Sequence, residues 1–274
     1  MFKGFKVVVC TCTSVRRRHL QLMMKYLLRQ MHIVDEWRLW THADKELDKG
    51  AVEEIRVEYP EFIKVQAETK RTFWWTLPFY QKCCDKNTIY IKADDDIVFI
   101  ADDAFEKLLA YRLKHPDPIA VHPNIVNNGI CSFIHQQIGA LDTHLGTLQY
   151  RFDDKLAILS MDFIHYLHDR FLTLAKYKEE GTFKFYEWVM REYQEFSINC
   201  YCFFGKRWAE FDGIINDADE TWTTRTKPRE IGVPGRICGQ SLVVHYAYFP
   251  QREYLNTKTN IFDRYERLAE ERCQ

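Results

Sequence analysis

The stretch that decides the reading of this chain is Thr88-Ile89-Tyr90-Ile91-Lys92-Ala93-Asp94-Asp95-Asp96-Ile97-Val98-Phe99. Thr88 to Lys92 is a β-branched and aromatic run that reads as a buried strand. Ile97 to Ile100 is a second apolar run, and it leads into a helix to about Lys114 that Asp102 or Asp103 is expected to cap. Between the two runs, three consecutive carboxylates stand where the strand emerges. Ionised side by side they repel one another, and a divalent cation is the simplest way to neutralise them. Carboxylate oxygens suit Mg²⁺ or Mn²⁺, which keep coordination positions for water and substrate phosphates. The competing reading is a solvated acidic turn that caps the next helix.

Outward from this stretch, strands and helices alternate. Upstream, Phe5 to Cys12, Trp37 to His42 and Phe62 to Val65 read as strands, and Val15 to Met31, Ala51 to Tyr59 and Phe73 to Cys84 as helices. Downstream, Pro118 to Val126, Ser197 to Phe204 and Ser241 to Tyr246 read as strands, and Asp162 to Lys178 and Phe183 to Tyr193 as helices. A loop-rich region carries Asp212-Gly213, Asp217 to Trp222 and Pro228 to Gly239. The βαβ rhythm predicts an α/β fold, a Rossmann-like domain with a mostly parallel central sheet and helices on both faces. Its ligands are expected beyond the carboxyl ends of the strands. No repeat, linker or low-complexity tract divides the chain, so residues 1–274 read as one domain.

Composition narrows the function classes. The chain has 274 residues, 46% of them hydrophobic, enough for one well-buried core. Lys plus Arg total 38 against 39 Asp plus Glu, a net charge of -1, so the basic surplus that nucleic-acid binding needs is lacking. Nine cysteines are an odd number, and Cys10/Cys12 and Cys200/Cys202 alternate within apolar runs, as reduced core thiols do. No C-x-x-C pair is present to seed a zinc site. The N-terminal apolar run is too short for a signal peptide, and no stretch approaches the roughly 18 apolar residues of a membrane span. The sequence therefore predicts a cytoplasmic protein without a transmembrane segment.

Asp94-Asp95-Asp96 at a strand end resembles the Asp-x-Asp signature of the GT-A class of nucleotide-sugar glycosyltransferases, and further residues follow in that family's order. Gly205, in Cys202-Phe203-Phe204-Gly205, looks like the glycine turn on the acceptor side. Asp219-Glu220 looks like the acidic pair that carries the catalytic base in inverting members. His245, in Val243-Val244-His245-Tyr246, looks like the late histidine that completes the metal shell. The resemblance runs from about Phe5 to Tyr248, and the Asp94 region with Asn124 to Gln137 is similar to soluble glycosyltransferases of bacteria and large algal viruses. The Gln-x-x-Arg-Trp sequel of processive synthases is lacking.

The resemblance implies a nucleotide-sugar-binding half at about 1–115, an acceptor and catalytic half at about 116–250, and a C-terminal helix at 251–274. It implies a metal held by Asp94, Asp96 and His245, and a nucleotide-sugar donor, a UDP-sugar, lying over the loop from Thr11 through Thr13 to Arg16. Arg71 and Lys92 would supply cations to the donor, with Asp94 and Asp95 close to it. Transfer to a glycan hydroxyl needs a carboxylate base, Asp219 or Glu220, and a metal to take up charge on the departing diphosphate. Trp74, Trp75, Trp208 and Trp222 are candidates to stack on sugar rings or to fill the core. Two other readings remain. Asp94-Asp95-Asp96-Ile97-Val98 fits the D-x-D-x-[TV] nucleophile motif of haloacid-dehalogenase-type phosphatases, and an aromatic-rich chain also suits a non-catalytic carbohydrate-binding protein.

Overall fold

A computed structural model describes residues 1–13, 16–42, 46–68 and 77–273. In chain order the strands are β1 (Lys6–Thr13), β2 (Glu36–His42), β3 (Ile63–Glu68), β4 (Thr88–Ala93), β5 (Ile97–Ile100), β6 (Val121–Val126), β7 (Glu187–Val189), β8 (Cys200–Phe204) and β9 (Arg236–His245). The helices are α1 (Arg17–Arg29), α2 (Glu46–Glu58), α3 (Leu77–Gln81), α4 (Ala104–Lys114), α5 (Gly129–Gln137), α6 (Lys155–Leu159), α7 (Met161–Lys176), α8 (Gly205–Ala209), α9 (Asp219–Thr221), α10 (Lys227–Ile231), α11 (Arg252–Lys258) and α12 (Ile261–Arg272).

The strands form one mixed sheet in the order β3-β2-β1-β4-β8-β6-β9-β5, with β7 alongside β9. Strands β1, β2, β3, β4, β6 and β9 point one way and β5, β7 and β8 the other, so the sheet is mostly parallel. Alternation along β1 sends Val7 and Val9 to one face, under α1, α4, α7 and α12, and Val8 and Cys10 to the other. The second face carries a smaller aromatic core, in which Tyr80 stacks on Trp208 and Trp208 packs against Trp222. These two tryptophans are core residues. All nine cysteines are free. Among the described residues no helix is long and apolar enough to cross a membrane.

Four local expectations are corrected. Phe183 to Tyr193 is not helical: a 3-10 turn, Glu180–Phe183, leads to the short strand β7, because Glu187–Val189 finds ladder partners in Arg236–Cys238 of β9. Asp103 stands at the N-terminus of α4 without a side-chain cap bond, since its carboxylate takes the Lys184 ammonium at 3.1 and 3.2 Å. The loop expected at Pro228 to Gly239 contains α10 and the start of β9. The C-terminal segment is two helices, α11 and α12, rather than one. Gly205 opens α8 where a Cβ would lie 2.1 Å from the Asp85 carbonyl oxygen, so close packing alone accounts for a glycine there.

Candidate functional site

The carboxyl end of β4 brings the triplet to the edge of the sheet, and two main-chain contacts fix its course. Asp94 N–H donates to the Asn199 carbonyl at 2.8 Å, and Tyr246 N–H donates to the Asp96 carbonyl at 2.9 Å. The second contact continues the β5–β9 ladder, in which Ile97 faces His245, and so carries His245 to the triplet from the far end of the chain.

The fold places cations against all three carboxylates, with Arg16 shared between two of them. Lys92 donates to Asp94 at 2.6 Å and to the Ile198 carbonyl at 3.0 Å. Arg16 lies 3.1 Å from Asp95 and pairs tightly with Asp96, while Thr13 donates to Asp95 at 3.2 Å. Arg252, at the start of α11, reaches within 3.6 Å of Asp96. The mutual repulsion inferred from sequence is therefore met by the chain's own cations, not by a metal alone.

The electrostatic outcome differs along the triplet. Burial pushes the Asp94 carboxyl up from its usual range, and Lys92 offsets this only in part. Burial acts in the same direction on Asp96, but His245 and Arg16 outweigh it and hold Asp96 well below the carboxylate range. Burial alone would depress Lys92; Asp94 and Asp219 reverse that and keep it charged.

His245 is the test of whether these residues suit a divalent ion. Its Nδ1 lies 3.1 Å from the Asn127 carbonyl, which can only accept, so Nδ1 carries a proton. Its Nε2 faces Asp96 Oδ1 at 3.5 Å. A lone pair and a carboxylate oxygen that face one another need a cation between them, either a second ring proton or a metal ion. The imidazole–carboxylate donor set suits Mn²⁺ or Mg²⁺ with further positions left to phosphate and water. Among the described residues no three His, Cys, Asp or Glu side chains are grouped to hold one ion, so the expected set of Asp94, Asp96 and His245 does not converge.

The acidic pair approaches from the other side. Tyr201 OH donates to Tyr80 OH at 2.8 Å, and Tyr80 OH donates to Asp219 at 3.0 Å. Glu220 accepts from Ile198 N–H at 3.3 Å, so residue Ile198 links Glu220 through its N–H and Lys92 through its carbonyl. Burial pushes Glu220 up to about 7, with the Ile198 N–H opposing and the Asp219 charge adding to the rise. Helix α9 continues through a π-turn at Trp222–Thr226 into α10, and Thr224 Oγ1 donates to the Glu220 carbonyl at 2.7 Å within that widened turn.

The structure thus brings Thr13, Arg16, Lys92, Asp94, Asp95, Asp96, Asp219, Glu220 and His245 into one region. Thr11 stands apart: it is fully buried and accepts the Trp37 indole N–H at 3.0 Å. Arg71, Trp74 and Trp75 lie outside the described residues. Sequence reasoning missed Tyr80, Asn127, the Ile198 peptide and Arg252. Asn127 and Ile198 act through main-chain atoms, which leave no side-chain signature, and Tyr80 lay in a segment read only as an apolar helix.

No family model matches the chain, and no curated protein matches it. Solved structures do. The chain superposes on a 4-diphosphocytidyl-2C-methyl-D-erythritol synthase from Anaerococcus prevotii with a TM-score of 0.51 at 12% identity, over 97% of this chain and 99% of that one. It also superposes on a mannosyltransferase from Pyrobaculum calidifontis in complex with GDP-Man and Mn²⁺, with a TM-score of 0.53 at 13% identity, over 90% of this chain and 59% of that one. The fold is one that nucleotide-sugar transferases and nucleotidyltransferases share. At these identities the likeness establishes architecture, and the chemistry rests on the side chains.

Proposed function

We propose that this protein is a metal-dependent glycosyltransferase that moves a sugar from a nucleoside diphosphate sugar, a UDP-sugar in our reading, to a hydroxyl of a glycan acceptor with inversion. The observation that carries this reading is the Nε2 of His245 aimed at Asp96 on the sheet edge, with a second pair of carboxylates across Lys92 and Asp94. Asp96 and His245 would hold Mn²⁺ or Mg²⁺, and the bound ion supplies Lewis-acid charge where negative charge builds on the diphosphate.

The remaining roles belong to the chain. Glu220 is the base: a carboxyl lifted to about 7 accepts a proton from a hydroxyl more readily than an ordinary carboxylate and is still substantially ionised at neutral pH. Asp219, held by the Tyr80 hydroxyl, stands beside Glu220 and adds to the rise that strengthens that base. Lys92 fixes the Ile198 carbonyl and Asp94 together, which sets the width of the gap between base and triplet.

Arg16 and Arg252 come from the face covered by α1 and α12, whereas Tyr80 and Trp222 beside the acidic pair belong to the other face. Incubation with a panel of nucleotide sugars and Mn²⁺ tests the reading. Release of nucleoside diphosphate that EDTA abolishes supports it. Release of pyrophosphate, metal-dependent hydrolysis of a simple phosphate monoester, or glycan binding without turnover would replace it.

A further inference from the structure

The triplet already carries cations before any divalent ion arrives. Three carboxylates, Asp94, Asp95 and Asp96, are matched by Lys92, Arg16 and Arg252. A divalent ion at Asp96 and His245 would compete with Arg16 and Arg252, the cations already on Asp96, which is costly unless the arginines find another anion. Both arginines line a cavity of about 480 Å³ between the start of α1 and the pair α11–α12.

Arg252 is poorly satisfied where it stands. Its Nη2 is 3.6 Å from Asp96, beyond a good hydrogen bond, and its Nε is buried with no hydrogen-bond partner. The other arginines of this cavity are already engaged, Arg17 with Glu54 and Arg18 with Asp263 and Glu266. The turn that carries Arg252 is rigid. Gln251 is fully buried, donates to the Ala157 carbonyl at 3.0 Å and accepts from Asn127 at 3.1 Å. A fixed backbone presenting an under-used guanidinium to a cavity is a preorganised anion donor.

We propose that this cavity is a phosphoryl-anion subsite, and that Arg16 and Arg252 pass from Asp96 to the bound anion when a divalent ion takes the carboxylate. The proposal rests on the metal site of the preceding section and adds an exchange of counterions to it. Metal and anion then bind cooperatively: the metal must displace arginine to bind alone, and the anion relieves the displaced arginines. The phosphoryl group belongs either to the donor's diphosphate or to a phosphate carried by the acceptor.

The test is calorimetry with Mn²⁺ alone, then with inorganic phosphate in the presence of Mn²⁺, on wild type, Arg16→Gln, Arg252→Gln and Arg252→Lys, all with matched circular dichroism. Removal of a competing cation should tighten Mn²⁺ binding in both Gln variants, by roughly threefold or more, while phosphate binding weakens by roughly tenfold. Arg252→Lys should fall between wild type and Arg252→Gln on both scales. Loss of phosphate binding in saturating UDP and Mn²⁺ assigns the subsite to the donor; its persistence there, still dependent on Arg252, assigns it to the acceptor. If the Gln variants bind Mn²⁺ no more tightly than wild type, or if phosphate is indifferent to Arg252, the exchange is wrong and the metal site stands. If wild type binds no Mn²⁺, both fall.

Discussion

Asp94-Asp95-Asp96 and Asp219-Glu220 are both runs of adjacent carboxylates, and the fold surrounds them in opposite ways. Around the triplet it places Lys92, Arg16 and Arg252, and Asp96 is held below its usual range. Beside the pair it places a phenol and a peptide N–H, and burial pushes Glu220 up to about 7. The first arrangement suits a fixed negative charge that binds cations. The second suits a proton acceptor. Which role a carboxylate takes is set by the neighbours the fold supplies, not by the acidic motif itself.

The sharpest break of this comparison is Glu220→Gln. It should lower turnover by about 100-fold or more while donor binding, measured by calorimetry, survives. A larger loss in Asp219→Asn would move the base one residue upstream. If both amide variants keep near-normal turnover, no base lies in the pair.

Next in size, His245→Ala should weaken Mn²⁺ affinity by about 10-fold or more, and Asp96→Asn should remove the metal dependence of nucleoside diphosphate binding. Because Asp96 is paired with Arg16, its amide also breaks a buried charged contact. Asp96→Asn should therefore cost about 2 kcal/mol of stability, read from denaturant unfolding, instead of relieving repulsion.

The pH behaviour sharpens the contrast. With the Glu220 carboxyl near 7, kcat/KM should lose activity on the acid side with a midpoint near pH 7, since the base must be ionised. The sign for stability is opposite. A raised carboxyl favours the protonated fold, so that contribution is complete below the ordinary value of 4.5 and is lost as pH rises through about 7. The melting temperature of wild type should fall relative to Glu220→Gln between pH 5 and pH 8. Identical pH profiles of melting would show that Glu220 is not desolvated.

Smallest is Tyr80→Phe. It deletes the donor to Asp219 and one member of the Tyr201–Tyr80 chain, and should lower kcat about 5-fold with the KM for donor unchanged, a loss near the roughly 1 kcal/mol of one hydrogen bond. An unchanged kcat would make the chain a packing feature.

The parallel half was legible because its signals are local. Val7 to Cys10 and Ile89 to Ile91 are β-branched or apolar runs buried in the sheet they build, and Trp37 and Leu39 are buried on either side of the charged Arg38. The antiparallel half was less so: β7 is three residues long and exists because β9 offers it a ladder, a long-range cause that periodicity cannot show. At the site, the side chains were nameable but their pairings were not. Lys92 and Asp94 are neighbours on one strand and meet directly, whereas Arg16 and Arg252 reach Asp96 from residues far away in sequence. The pairing of Asp96 with arginine is a tertiary property.

Strand β9 is the last strand of the sheet, yet it is inserted between β6 and β5 and also carries β7. A chain that has not yet delivered Arg236–His245 holds the triplet but lacks His245, and β5, β6 and β7 all miss the strand they pair with. Closure of the sheet and the approach of His245 to Asp96 are therefore a single folding event. A chain arrested before it would be prone to pair with other chains.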